Sequence, residues 1–295
     1  MRITQIEDVT AADRTLAVGT FDGVHLGHRD VIAGADAVLT FEPHPVAVVT
    51  PAHTPRLLTP LAIKADLMAS LGVDELIVID FDAAFAARSA QQFVDEVLVE
   101  RLDVKVVSVG ENFRFGRGAK GDAALLAADP RFATRVLPLR ELDGEIVSSS
   151  HIRSLIAAGE VARAAVLLGS PFELRGTVVA GDRRGRELGF PTANVVPDER
   201  LVNPGHGVYA CLANGLPAAV NVGVRPTFES GRGELVEAHL IDFEGDLYES
   251  ELRLHFLEKL RGERRFAGAD QLIEAMHDDV ARARDVYKRQ ARARE

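Results

Sequence analysis

Two histidines three residues apart, His25 and His28, close the string Gly19-Thr20-Phe21-Asp22-Gly23-Val24-His25-Leu26-Gly27-His28. Paired imidazoles can donate hydrogen bonds to charge that grows on a phosphate during group transfer. Gly19 and Gly23 let the backbone come close to such a ligand. Free N–H groups and the dipole of a helix start attract the same anion. A lone histidine here would more simply be a helix cap, but the ten-residue string as a whole points to nucleotide phosphates. A second set lies far downstream, in Gly181-Asp182-Arg183-Arg184-Gly185-Arg186-Glu187-Leu188-Gly189-Phe190-Pro191-Thr192-Ala193-Asn194. Its Gly/Arg loop can present N–H groups and guanidinium to a triphosphate. Thr192 and Asn194 alternate on a strand, so they face one side and offer oxygen ligands suited to Mg²⁺.

Other segments carry weaker signals. Gly110 to Asp122 is glycine-rich with aromatics and cations, and as composition alone it reads equally as a surface loop. Ser148-Ser149-Ser150 precedes a helical pattern, and a serine run there reads first as an N-cap. Glu237 reads on its own as an outward strand carboxylate.

These residues need elements to hold them. Leu16-Ala17-Val18 forms a buried strand before the histidine string, and Val31-Ile32-Ala33 reads as the start of the helix after it. Ala37 to Phe41 is a second strand, with only twelve residues between His28 and Phe41. That is close to the minimum for a strand–helix–strand crossover. From Pro60 a helix follows on Ile63, Leu67, Met68 and Leu71, stopped at Gly72. Glu75 to Phe81 is a third strand. Ser89 caps a helix with Phe93, Val94, Val97, Leu98 and Leu102 on one face, and Val104 to Val109 is a fourth strand. This alternation implies a parallel sheet with helices on both faces, whose ligands bind beyond the C-terminal strand ends. Past Gly169-Ser170-Pro171 the texture changes to short β-type runs, Phe172–Ala180, Ala193–Val196, Gly207–Leu212, Ala218–Val222, Leu235–Phe243 and Glu251–Phe256. About six strands without intervening helices imply a closed or nearly closed antiparallel barrel. A last helix has Leu272, Ile273, Met276 and Val280 in register, and its basic end reads as a solvated, partly frayed terminus. The expected domains are 1–169 and 170–295.

The totals suit that division. The chain has 295 residues, enough for two cores. Lys plus Arg against Asp plus Glu count 16 to 23 over residues 1–169 and 18 to 21 over 170–295. Neither half is basic, which argues against a nucleic-acid surface. Cys211 is the only cysteine, so no disulfide framework or cysteine-rich zinc site is expected. No segment reads as a signal peptide or membrane span, so a cytoplasmic protein is expected.

The first string resembles the nucleotide-binding signature of FAD synthetases, within the wider HxGH nucleotidyltransferase group. The run from Gly181 to Asn194 is similar to the riboflavin kinase signature. Asn221 to Phe228, Glu237 to Phe243, Asp246-Leu247-Tyr248 and the final helix with Asp279 and Arg282 match later blocks of that family. Over almost its whole length the chain resembles the bacterial bifunctional riboflavin kinase/FMN adenylyltransferases. The resemblance implies two ATP sites, with riboflavin, FMN and FAD as substrates and products. For adenylyl transfer it implies ATP contacts from Gly19, Phe21, Asp22, Gly23, His25, His28, Ser149, Ser150 and Arg153, with His25 and His28 acting in catalysis. Asn112, in the VGxxFxFG motif, is implied on the flavin side. For the kinase it implies ATP contacts from Gly181, Gly185, Arg186, Gly189, Thr192 and Asn194, with Mg²⁺ on the last two. Glu237 takes the place of the catalytic base. Ser150 stands for the usual Thr, Glu249 for a usual Gly, and the helix after His28 is shorter than usual. Two rival readings stay open: a kinase whose shortened helix has cost it adenylyl transfer, and a flavin- or nucleotide-binding regulator without chemistry. An oligomer is possible, though nothing in the sequence supports one.

Overall fold

The structure is a computed structural model that describes residues 1–180, 190–224, 234–264 and 266–292. Contacts divide the chain into two compact units, Met1–Ser149 and Ser150–Glu295.

The first unit is built on six parallel strands: β1 (Arg2–Gln5), β2 (Arg14–Val18), β3 (Ala37–Glu42), β4 (Glu75–Asp80), β5 (Val104–Gly110) and β6 (Ala133–Leu137). Their order is β1-β4-β3-β2-β5-β6. Central strands of such a sheet are covered on both faces and therefore read as unbroken apolar runs. Leu16, Val18, Leu39, Phe41, Ile77 and Ile79 face one core, shared with Phe93, Val94 and Leu98. Ala17, Val38, Leu76 and Val78 face the other, with Val31, Ile32 and Met68. From β2 the chain steps to β3 and β4 on one side, then returns to β5 on the other. The C-terminal ends of β2 and β5 therefore flank the point where ligands bind in such sheets.

Three local expectations are corrected. Helix α1 spans Leu26–Ile32, so Val31-Ile32 closes it rather than opening it, because His25 already caps its start. In α2 (Leu61–Ser70) the buried face is Ile63, Lys64, Ala65 and Met68, while Leu71 lies past the last turn and is 38% exposed. Ser89 does cap its helix, in a reciprocal box with Gln92, but Phe93–Arg101 winds as a π-helix. The Leu102 N–H accordingly reaches the Val97 carbonyl at 3.1 Å.

The second unit is a closed antiparallel barrel of β7 (Phe172–Val179), β8 (Ala193–Pro197), β9 (Gly207–Ala213), β10 (Leu216–Val224), β11 (Glu234–Leu240) and β12 (Glu251–Arg261). The order around it is β7-β8-β11-β10-β9-β12. Helices α3 (Ser149–Ala158) and α4 (Val161–Leu168) precede it. They pack with the barrel: the Gly205 N–H donates to the Ile156 carbonyl at 3.0 Å, and α4 lies along β7 and β12. The compact-unit boundary therefore falls at Ser149, ahead of the composition break at Gly169. Helix α5 (Ala269–Arg292) lays Ala283 and Val286 on Val208, Ala210, Leu257 and Leu260. Its basic end is solvated, with Lys288, Arg289 and Arg292 exposed, while Arg284 pairs with Asp242 at 2.6 Å and Arg289 with Glu258 at 2.7 Å. Glu249 sits at φ +63°, a conformation that glycine adopts without cost, which accounts for the usual glycine at this turn.

Candidate active sites

The turn after β2 is wound tightly. Phe21, Gly23 and Val24 all have positive φ, at 49°, 92° and 42°. For β-branched Val24 that conformation costs about 1–3 kcal/mol and persists only where its surroundings over-determine it. They do. Val24 is fully buried, and the Asp22 carboxylate, 2% exposed, accepts the Leu58 N–H at 2.9 Å and the Thr59 N–H at 3.0 Å. The Gly23 N–H donates to Thr59 Oγ1 at 2.9 Å. From α2, Lys64 Nζ donates to the Thr20 carbonyl at 2.8 Å and to Thr40 Oγ1 at 3.3 Å. Burial pushes the Lys64 ammonium below its usual pKa, while the charges of Asp22 and Glu42 pull the other way. Asp22 therefore latches the turn to residues 58–59.

Asp22→Asn turns an amide N–H₂ or a weaker acceptor toward those two backbone donors. Leaving a buried donor unpaired costs about 1–3 kcal/mol. The melting temperature of the first unit should fall by several degrees, as read by calorimetry. An unchanged melt would remove Asp22 from the turn's support.

His25 Nδ1 accepts the His28 N–H at 3.2 Å, capping α1. With Nδ1 accepting, the proton of the neutral ring lies on Nε2, where it can be donated to a ligand. The His28 ring stacks on His25 with centroids 3.5 Å apart and planes 16° apart, and Phe21 meets it edge-on at 5.3 Å. Gly19 sits close against that aromatic: a Cβ there would lie 3.1 Å from the Phe21 ring, which would have to give by a few tenths of an ångström. Ser149, last residue of the first unit, donates from Oγ to the Asp22 carbonyl at 2.9 Å. Asn112 is exposed on the turn that leaves β5, where the Glu111 N–H donates to the Leu137 carbonyl at the end of β6 at 2.8 Å. Its neighbours Phe113 and Phe115 stack at 5.4 Å and lead through Phe93 into the core. Ser150 and Arg153 follow in the first two turns of α3, in the second unit, with Arg153 Nη1 3.5 Å from Ser150 Oγ.

The barrel holds the other set. Asn194 of β8 pairs with Glu237 of β11, and Glu237 pairs with Asn221 of β10. Directly opposed residues share a face, so the three form one row. Asn221 Nδ2 lies 3.4 Å from Glu237 Oε2. Glu237, Asn221 and Thr192 line a cavity of about 660 Å³ whose wall also carries apolar Phe190, Leu272 and Met276 and charged Glu263 and Arg264. That volume and lining suit a drug-sized ring ligand. Arg261, also on the wall, is held to Asp279 of α5 by two parallel hydrogen bonds at 3.0 and 2.8 Å. Among the described residues no three His, Cys, Asp or Glu side chains gather as a metal site. Thr192 and Asn194 instead offer neutral hard oxygens, a donor set that fits Mg²⁺ shared with ligand phosphates and water. Gly181, Gly185, Arg186 and Gly189 lie outside the described residues.

Sequence reasoning gave no role to Lys64, Thr59 or Asn221. The one available signal was a lysine inside the apolar pattern of α2.

Residues 8–151 match the family model described as FAD synthetase, and residues 168–287 the one described as riboflavin kinase. The bifunctional riboflavin kinase/FMN adenylyltransferase of Escherichia coli (strain K12) is 39% identical over 290 residues, covering 92% of each chain. Its Bacillus subtilis (strain 168) counterpart is 37% identical over 292 residues, again covering 92% of each. A crystal structure described as a macrolide-efflux protein from Streptococcus pneumoniae aligns with a TM-score of 0.88 at 29% identity, covering 96% of this chain and 99% of that one. That description names transport, yet no helix among the described residues is long and apolar enough to cross a membrane. What the two chains share is architecture. Signatures, fold and relatives agree, and the chain belongs to the family of bifunctional riboflavin kinase/FMN adenylyltransferases.

Proposed function

We propose that the two sites act in sequence, the barrel making FMN and the parallel-sheet unit converting it to FAD. In the barrel, Glu237 takes the proton of the ribityl 5′-hydroxyl of riboflavin as that oxygen bonds to the γ-phosphorus of ATP. The bond to the β,γ-bridging oxygen breaks and ADP leaves. Thr192 and Asn194 hold Mg²⁺, which when bound supplies charge neutralisation to the phosphates. The transition state of such a transfer is loose and highly charged, so positioning and electrostatics dominate. The apolar wall of the cavity receives the flavin ring. The observation that carries this reading is Glu237 on the cavity wall beside Thr192 and Asn221, in one cross-strand row with Asn194 and Asn221.

In the first unit an FMN phosphate oxygen attacks the α-phosphorus of a second ATP, and pyrophosphate leaves. The nucleophile is already anionic, so no general base is required. His25, through Nε2–H, and His28 donate to the developing charge. Family resemblance adds Ser149, Ser150 and Arg153 on the phosphates and Asn112 on the flavin side. Both steps use small molecules alone, and a cytoplasmic enzyme acting without nucleic acid fits the acidic balance of both halves.

Incubation with riboflavin and MgATP, followed by chromatographic separation of flavins, tests the sequence. FAD is the expected product. FMN alone would leave only the kinase, the rival reading that the short segment after His28 left open, and neither product would overturn the assignment.

A further inference from the structure

His239 stands two residues past Glu237 on β11, so both side chains leave the same face of the strand, and both line the cavity. Its Nδ1 lies 2.9 Å from the Pro191 carbonyl oxygen. A carbonyl only accepts, so Nδ1 carries a proton. The same ring meets Phe190 edge-to-face with centroids 5.4 Å apart, and His277 of α5 meets Phe190 at 4.9 Å. Phe190 is 6% exposed and held between the two rings.

The segment Phe190-Pro191-Thr192 needs such a hold. The β8–β11 ladder begins at Ala193 opposite Ala238, so Thr192 lies one residue outside it. Pro191 has no N–H to contribute. Its carbonyl, taken by His239, anchors the peptide unit that leads directly into Thr192.

We propose that His239 is a positioning residue of the kinase: its Nδ1–H on the Pro191 carbonyl holds Thr192 in place as a Mg²⁺ ligand. The inference rests on the reading of Thr192 and Asn194 as metal ligands given above. It makes β11 the strand that both carries the base and fixes the donor next to it. His239 touches neither phosphate nor hydroxyl in this role. It acts through the Pro191–Thr192 peptide.

Two substitutions of similar polarity separate the N–H from the rest of the ring. Asparagine places an amide N–H where Nδ1 stands, whereas glutamine carries it one bond further, toward the position of Nε2. Full-length wild-type, His239→Asn, His239→Gln and Thr192→Ala proteins are titrated with Mg²⁺ in the presence of riboflavin and ADP. Flavin fluorescence reports formation of this dead-end complex without turnover. Loss of a group that orients a metal ligand typically costs 10–100-fold in metal affinity, so His239→Gln should raise the half-saturating Mg²⁺ about tenfold and His239→Asn by no more than about twofold. Adenylylation of supplied FMN should stay at the wild-type value in both. If Thr192→Ala shifts the Mg²⁺ curve and His239→Gln does not, the positioning role is wrong while the ligand assignment stands. If Thr192→Ala leaves the curve unmoved, the ligand assignment fails and the inference with it. Asparagine shifting the curve as far as glutamine, or a lower melting temperature with an unmoved curve, would also overturn the proposal.

Discussion

Glu237→Gln is expected to lower FMN formation by about 10²–10⁴-fold, the usual worth of general-base assistance. Riboflavin and ATP should still bind, because glutamine keeps the volume that lines the cavity. The side-chain oxygen of glutamine can still accept from Asn221 Nδ2, which lies 3.4 Å from Glu237 Oε2 in the native protein. The capacity to take a proton is lost, together with the negative charge. In a loose transition state the hydroxyl loses its proton late, so the base contributes less than it would to a tight attack. The effect should therefore fall toward the lower end of the range. Single-turnover formation of FMN, resolved chromatographically, measures the chemical step directly. FMN supplied from outside should still become FAD at the wild-type rate, since that chemistry uses the other unit. Wild-type turnover in the variant, with phosphorylation shown to be rate-limiting, would leave Glu237 a strand carboxylate and move the base elsewhere.

How much of this was legible before the fold was known depended on burial. Strands β2, β3, β4 and β5 are covered on both faces, so their apolar runs stood out. Edge strands have no such obligation. Strand β1, Arg-Ile-Thr-Gln, and β6, Ala-Thr-Arg-Val-Leu, are mostly exposed and carry too few apolar residues to stand apart from loops. The π-winding of Phe93–Arg101 was hidden too, because its buried residues also satisfy an α-helical spacing. The barrel strands were readable from their turns, since Gly, Pro and Asn punctuate each run.

Side-chain roles divided along a different line. The histidine string could be read as a phosphate site from residue types and spacing. Where a lone pair ends up could not. Asp22 appeared as one more ATP contact of the signature, but its oxygens are directed at the backbone of residues 58–59, more than thirty positions away. Lys64 stands out in sequence only as a lysine inside an apolar helix pattern, and only the approach of α2 to the turn after β2 gives its ammonium Thr20 and Thr40 as partners. Thr192 and Asn194 were visible in one block, and Asn221 and Glu237 each in a separate one. That three of them share a row follows from the β8–β11–β10 register, which no local pattern encodes.

His28→Ala should lower conversion of FMN to FAD by about 10²–10³-fold, the typical cost of removing one donor to developing charge. Riboflavin phosphorylation should be unaffected. Two features make the effect large and the test clean. Helix α1 has only seven residues, so it contributes little dipole to an anion, and the donors near β2 must be side chains and turn N–H groups. His28 is also dispensable to the cap: His25 Nδ1 accepts from the His28 backbone N–H, which alanine keeps. The stacked partner at 3.5 Å is lost, yet the strained turn remains held by Asp22, Thr59 and Lys64. Because the charge that His28 meets grows only as the α-phosphorus bond changes partners, the loss should appear in kcat with little change in the KM for ATP. Steady-state FAD formation from FMN at varied ATP gives both constants, and riboflavin phosphorylation in the same preparation serves as the internal control. An equal fall in both activities would indicate a folding defect. An unchanged kcat for FAD formation would remove His28 from the adenylyl-transfer step and leave His25 as its only imidazole donor.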